Sequence, residues 1–575
     1  MNFSKIKIRL LTGLILIMTM VANCKRSSDS ASKVANAASV NDAQTWSALS
    51  FETLFTDPAC PQRKFVSYRE PGKELMTEVN KIPVFESRDK IEPVKLAAEG
   101  IATRGGSKRT SIPAGVFCTE ADAEKALAQK NDPAKGIHEN PIKRLTTLIG
   151  STLEGDEIYG ATFSFNSEVI KKSLCEAAER KVAVVLFTNK PLQAGGGSGA
   201  VEKNSSKGTE KSEPSFLDKL KAECPGVKVY TLGAVEKTTE LKFMLINKNA
   251  ASHPSDEKGY SYLSVQSGNF SKASWAHHDA WNFIKQKRDH WFIKDHLCLA
   301  RNFELAAKAD LSEFVTAVTS CRDAGNLAQY RRTSPVQNYF MPLSASSYND
   351  RKGLIDDIKA EIDKARKVQV AAFQLTSKEV LESLQGKLTG DKDFTLEIIF
   401  DSGIFWVAQT AKKPIFAEGL VYYPYDDYAH SCLWGRPKSS AEDKCSPFEV
   451  TEYTDHIKKL IDEGAKVKYV EANYWDEVNE VSVPKLFHNK FMVFYYKAKE
   501  NGVEGAVLTG GGTFTQRAFA NNFGNFYLVK LPHVFDKFRT QFDRVFTSLA
   551  KSEQELPVTW DYITEPEGAS SNVIK

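Results

Sequence analysis

One stretch of this chain occurs twice. Glu240-Leu241-Lys242-Phe243-Met244-Leu245-Ile246 matches His488-Asn489-Lys490-Phe491-Met492-Val493-Phe494 almost position by position. An internal duplication constrains a fold more than any lone motif, because both copies must bury the same faces with the same elements. After each copy comes a polar insertion (247–259 or 497–504) and then a second apolar strand (260–265 or 505–508). Each second strand runs into a small polar turn, Gln266-Ser267-Gly268-Asn269-Phe270-Ser271 in one case and Gly510-Gly511-Gly512-Thr513-Phe514-Thr515 in the other. The front ends agree as well. Residues 158–165 and 368–376 each precede a helical pattern, and the β-branched, apolar runs 182–188 and 396–401 follow as buried strands.

Each half therefore reads strand, helix, strand, strand, motif strand, strand, helix, strand, and the fold class expected is α/β, with two similar domains. His488 and Lys490 stand two apart in an apolar strand, so both address one face while Asn489 turns elsewhere. An imidazole is largely neutral at pH 7 and can attack phosphorus, while an ammonium neutralises phosphoryl oxygens. That pairing points to phosphoryl chemistry.

These motifs resemble those of the phospholipase D superfamily, whose members pair two His-x-Lys-x4-Asp signatures, each followed by Gly-Ser-x-Asn, between two similar domains. The resemblance covers residues 145–550. It implies two domains, each a mixed β-sheet flanked by helices, with the site at their interface. One histidine would form a phosphohistidine while the other protonates the leaving group, with no metal and no cofactor. Motif lysines and asparagines would stabilise the charge that builds on the phosphoryl oxygens.

Carried over by position, the second-half histidine falls on His488 and the lysine on Lys490, while Tyr495 replaces the signature aspartate. Tyrosyl-DNA phosphodiesterases of the superfamily also lack that aspartate. Gly-Ser-x-Asn becomes Gly510-Gly511-Gly512-Thr513, and the glutamate expected further on is Gly524. The first half keeps Lys242, Ser267 and Asn269 but places Glu240 where the other histidine belongs and Asn247 at the aspartate. The resemblance thus assigns catalysis to His488, Lys490, Glu240 and Lys242, and substrate binding to Ser267, Asn269, Gly511 and Thr513. A carboxylate ~4 Å from a phosphate is repelled by ~4 kcal/mol at an effective dielectric near 20. Glu240 is therefore either protonated, and a general acid, or paired with Lys242 or Lys490 in a closed site that binds without turnover. His277 and His278 offer another acid, although their surroundings read as an exposed helix face.

Lys5, Lys7 and Arg9 precede the apolar run 10–22, a secretion signal too short for a comfortable membrane span. Val21-Ala22-Asn23-Cys24 resembles a bacterial lipoprotein box with Asn23 as its departure. That resemblance implies cleavage before Cys24, its lipidation, and a lipid-anchored protein of the cell envelope. The organisation expected is a signal peptide (1–23), a flexible tether (24–45), an irregular cap (46–144), a first domain (145–288), a helical linker (289–344), a second domain (345–550) and a tail (551–575). Removing Cys24 leaves an even eight cysteines, suited to an oxidising compartment. Pairing neighbours in order gives Cys60–Cys118, Cys175–Cys224, Cys298–Cys321 and Cys432–Cys445. The formal net charge of +4 falls to about +1 without the leader's three cations, which argues against a dedicated nucleic-acid binder. A phosphodiester substrate, phospholipid before nucleic acid, is the partner expected. The insertion 403–448 carries Phe405, Trp406, Tyr422, Tyr423, Tyr425, Tyr428 and Trp434, and reads either as a contact for lipid or bases or as an aromatic mini-core. The Gly- and Ser-rich segment 194–215 reads as a surface loop.

Overall fold

The computed structural model describes residues 45–56, 140–189, 215–232, 239–254, 259–271, 274, 277–308, 334–342, 353–401, 415–417, 420–422, 456–470, 474–476, 481–483, 487–500, 502–520, 522–550 and 552. The signal peptide, Cys24 and nearly all of the tether and tail lie outside them, as do most of the cap, residues 194–214 of the loop and most of the 403–448 insertion. The first half comprises β1 (Phe51–Thr56), α1 (Pro141–Gly150), β2 (Glu157–Thr162), α2 (Glu168–Glu179), β3 (Ala183–Asn189), α3 (Phe216–Glu223), β4 (Val227–Leu232), β5 (Thr239–Glu240), β6 (Phe243–Asn247), β7 (Tyr260–Gln266) and β8 (Asp279–Lys287). Helix α4 (Trp291–Lys308) follows. The second half has β9 (Val336–Phe340), α5 (Leu354–Lys364), β10 (Ala365–Ala372), α6 (Lys378–Gly390) and β11 (Thr395–Asp401), then the hairpin β12 (Ile415–Ala417) and β13 (Leu420–Tyr422). After β14 (Lys466–Val470) and the hairpin β15 (Tyr474–Asp476) and β16 (Val481–Val483) come β17 (Lys490–Glu500), β18 (Val503–Gly510), α7 (Gln516–Ala520), β19 (Phe523–Val529) and α8 (Pro532–Ser548).

The first sheet has the order β1-β8-β7-β6-β2-β3-β4, and the second β14-β11-β10-β17-β18-β19 with β9 also on β19. Read from opposite ends these are one topology. In each, three strands run parallel (β2, β3, β4 or β10, β11, β14) and the motif strand joins the first of them antiparallel. Register is kept too: Ala161 faces Phe243 as Ala371 faces Phe491, and isolated bridges join Phe165 to Phe270 and Leu375 to Phe514. The structure adds a strand to each repeat. Strand β1, expected within the irregular cap, pairs antiparallel with β8, and β9, expected within the helical linker, does the same with β19.

Alternation decides what each face covers. Phe243 and Leu245, with Phe491 and Val493, point into a shared core that also holds Phe292, Phe303, Phe538 and Phe542 of α4 and α8. Met244 and Ile246 turn outward to a core with α1 and α2, while Met492 and Phe494 turn to one with α5 and α6. Asn140 caps α1 through its Oδ1, and Ser215 and Asp218 form a capping box on α3. Of the four expected disulfides, Cys175–Cys224 is present. Cys298 is also disulfide-bonded, with its expected partner Cys321 outside the described residues, as are the other two pairs.

The halves are joined by backbone as well as by core. Strand β5 leaves its own sheet and pairs parallel with β19, Glu240 facing Gly524. The approach is close at Gly511, where a Cβ would sit 2.6 Å from the Glu240 carbonyl oxygen, 2.6 Å from Asn525 Oδ1 and 2.9 Å from Lys242 Cβ. Gly511→Ala should therefore cost about 1–3 kcal/mol by overpacking, read as a lower urea midpoint at unchanged m-value.

Candidate active site

The ends of β6, β8 and β17 bring the two halves together around His488. This residue lies in the segment leading into β17, whose path is set by Asp401 accepting from Phe487 N at 2.7 Å and by Asn489 O accepting from Phe373 N at 2.9 Å. His488 Nδ1 is 2.9 Å from Oδ1 of Asp279, the first residue of β8 in the other half. Lys490 Nζ lies 2.8 Å from His488 Nε2 and 3.1 Å from His488 O. An ammonium can only donate, so Nε2 accepts and Nδ1–H donates to the carboxylate, which fixes the tautomer. Asp279 Oδ1 also accepts from Ser267 Oγ at 2.8 Å, and Ser267 Oγ accepts from Ala280 N at 2.9 Å. Gly268 is required beside them, since a Cβ there would lie 2.7 Å from Asp279 Oδ2.

Electrostatics favour a neutral ring at His488. Burial, reinforced by the nearby Lys490 and Lys242 ammonium groups, holds the His488 imidazole well below its usual range. Burial also pushes the Asp279 carboxyl up, opposed by the charges of His277 and Lys490, the Ser267 hydrogen bond and Lys242. The His488–Asp279 contact is thus a hydrogen bond from a neutral ring rather than an ion pair. One nitrogen of His277, one of His488 and a carboxylate oxygen of Asp279 lie within 4.8 Å of one another, a donor set that a zinc ion could use. The two ammonium groups in the same cluster make the pocket better suited to an anion.

Glu240 and Lys242 make further contacts across the interface, beside the first set. Glu240 accepts from Thr513 N and from Asn522 Nδ2, both at 2.7 Å, and pairs with neither lysine. Lys242 Nζ donates to Gly511 O at 2.6 Å and Lys242 N to Asn525 Oδ1 at 2.9 Å. Asn269 donates its backbone N–H to Ser274 Oγ at 3.0 Å, while its Oδ1 is buried without a hydrogen bond. Tyr495, at the signature-aspartate position, donates to Gln369 Oε1 at 2.7 Å, and Asn247 likewise bonds Glu157 at 2.6 Å, so both positions tie the motif strand to its neighbour.

Sequence reasoning overlooked Asp279. The register that aligns Gln266 opposite Trp281 also aligns Gly510 opposite Phe526, making Asp279 the counterpart of Gly524. The carboxylate is expected in the second half, whereas Asp279 of the first half orients the second half's histidine. Glycine at 524 thus accompanies glutamate at 240, where the other half has Asp279 with His488. His277 and His278 are also misread as an exposed helix. Both are buried and lead into β8, His277 with its ring 5.6 Å from that of His488 and His278 with its ring 5.6 Å from Phe487. Their apolar neighbours come from distant chain segments, so local sequence carries no sign of them.

No family model and no curated protein matches the chain. Similar solved structures include polyphosphate kinase from Porphyromonas gingivalis, at 11% identity and TM-score 0.39 over 71% of this chain and 45% of that one, so the match spans less than half of the kinase. Another is phosphatidylserine synthase from Haemophilus influenzae, at 10% and 0.40 over 72% and 85%. A third is the phospholipase D family member Nuc from Salmonella typhimurium, at 12% and 0.22 over 37% and 95%. Nuc is described as a phospholipase D family member. Likenesses this distant leave the chemistry to be read from the residues. Among the described residues, no helix is long and apolar enough to cross a membrane.

The depressed His488 ring has a measurable sign. Below pH ~6.5 the unfolded chain takes up a proton that native His488 refuses, so this residue subtracts stability as pH falls. In a histidine-labelled NMR titration, the His488 resonance should stay at its neutral position through pH 6.5 while exposed histidines titrate.

Proposed function

We propose that this chain cleaves phosphodiesters through a covalent phosphohistidine on His488. The observation that carries the reading is a neutral, buried imidazole with Nδ1 tied to Asp279, Nε2 held by the Lys490 ammonium and the Lys242 charge acting on the same ring. A phosphodiester entering the pocket takes the Lys490 ammonium from Nε2 and frees that lone pair to attack phosphorus. Lys490 then bears the charge building on the phosphoryl oxygens, with the Lys242 charge adding to the positive field of the site. Asp279 steadies the ring as it becomes positive on bonding phosphorus. Glu240 holds the Thr513 turn through its two hydrogen bonds, a clamp role that leaves Lys242 directed at Gly511.

Phospholipid is the substrate class we favour, on the near-neutral charge of the mature chain and the lipoprotein-like box at Cys24, which would anchor the protein to an envelope membrane. The test incubates mature protein with phosphate-labelled phosphatidylcholine and with labelled single-stranded DNA. Wild type should release product and retain acid-labile label on the chain, and His488→Ala should lose at least ~10³-fold in rate and all label. No product from wild type, with activity gained in Glu240→His, would establish instead a silent phosphate-binding fold.

A further inference from the structure

We propose that His277 is the proton donor to the leaving group, in place of the histidine missing at position 240. This deepens the phosphohistidine reading and rests on it.

Three observations converge. The first is that Glu240 does not occupy the acid's role, since both its oxygens accept hydrogen bonds from the second half. The second is position. The register that makes Asp279 the counterpart of Gly524 makes His277 the counterpart of Asn522. Asn522 meets Glu240 across the interface as His277 meets His488, so the pseudo-symmetry of the halves brings residue 277 to the nucleophile. The two rings are tilted by 56° rather than stacked, and each offers a nitrogen within 4.8 Å of the other's. The third is access. Asp279 and Ser267 are wholly enclosed, whereas His277 and His488 keep 7% and 8% of their surface exposed.

The backbone holds His277 there. Thr56, at the end of β1, donates its hydroxyl to His277 O at 2.8 Å and accepts from Asp279 N at 3.0 Å. Strand β1 thus fixes the proposed acid and the orienting carboxylate with one side chain. The charge of His277 is one of the effects that hold the Asp279 carboxyl down against its burial. In the first step the His488 Nε2 lone pair forms an N–P bond. The P–O bond breaks with its electron pair to the leaving oxygen, which takes the proton from His277. In the second, neutral His277 takes a proton from water, whose oxygen bonds phosphorus as the P–N pair returns to His488. General acid–base help of this kind is worth ~10²–10⁴-fold.

The experiment compares leaving groups on matched pairs: phosphatidyl-4-nitrophenol against phosphatidylcholine, and a thymidine 5′-(4-nitrophenyl phosphate) against a dinucleotide. Nitrophenolate departs without a proton, whereas an alkoxide needs one. His277→Gln should give a one-equivalent nitrophenol burst within ~3-fold of the wild-type rate. Turnover should then stall by ~10²-fold or more with label held on His488, and the alkyl ester should show no burst. A structural role would move both esters together, so equal loss of burst on both, or no loss on either, overturns the proposal while the His488 reading stands. Wild-type turnover abolished by a chelator and restored by zinc would assign His277 to a metal and overturn it too. Failure of wild type on every ester would sink the phosphohistidine reading, and the proposal with it.

Discussion

Asp279 has none of its surface exposed, and the arrangement of the site follows from what that burial demands. An ionised carboxylate taken out of water costs several kcal/mol unless hydrogen bonds and opposite charge offset it. Here the offset comes from both halves: Ser267 from its own turn, His488 and the Lys490 charge from across the interface. Neither half can therefore settle its polar groups alone. The same mutual dependence recurs in backbone, where β5 crosses to the second sheet, and in packing, where Gly511 has room only for hydrogen.

Much of the architecture was legible in the chain because a duplicated pattern of alternating apolar residues carries register as well as class. Phe243 and Phe491 answer one another in sequence, and they occupy equivalent places against Ala161 and Ala371. The outer strands were not legible. Phe51–Thr56 is separated from its first helix by the stretch 57–140, and Val336–Phe340 follows a long segment of helical character, so neither sits where a repeat would be sought.

The site was read in part for a related reason. His488, Lys490, Lys242 and Glu240 fall inside the repeated heptapeptide and declare themselves. Asp279 and His277 lie outside it, and their meaning depends on the crossing of the halves, which no linear alignment of one half with the other displays. Comparing what accompanies each departure would have exposed the carboxylate: Gly524 and Glu240 belong to one lost pair, Asp279 and His488 to the surviving one.

That unequal pairing gives the pocket a direction. Where two equivalent histidines face each other, either can serve as attacker and a diester can be cut in two orientations. On the proposed chemistry, the one oriented imidazole would have phosphorus approached from the second half alone. The departing group would leave toward the first, and a substrate bound the other way round would be a dead end.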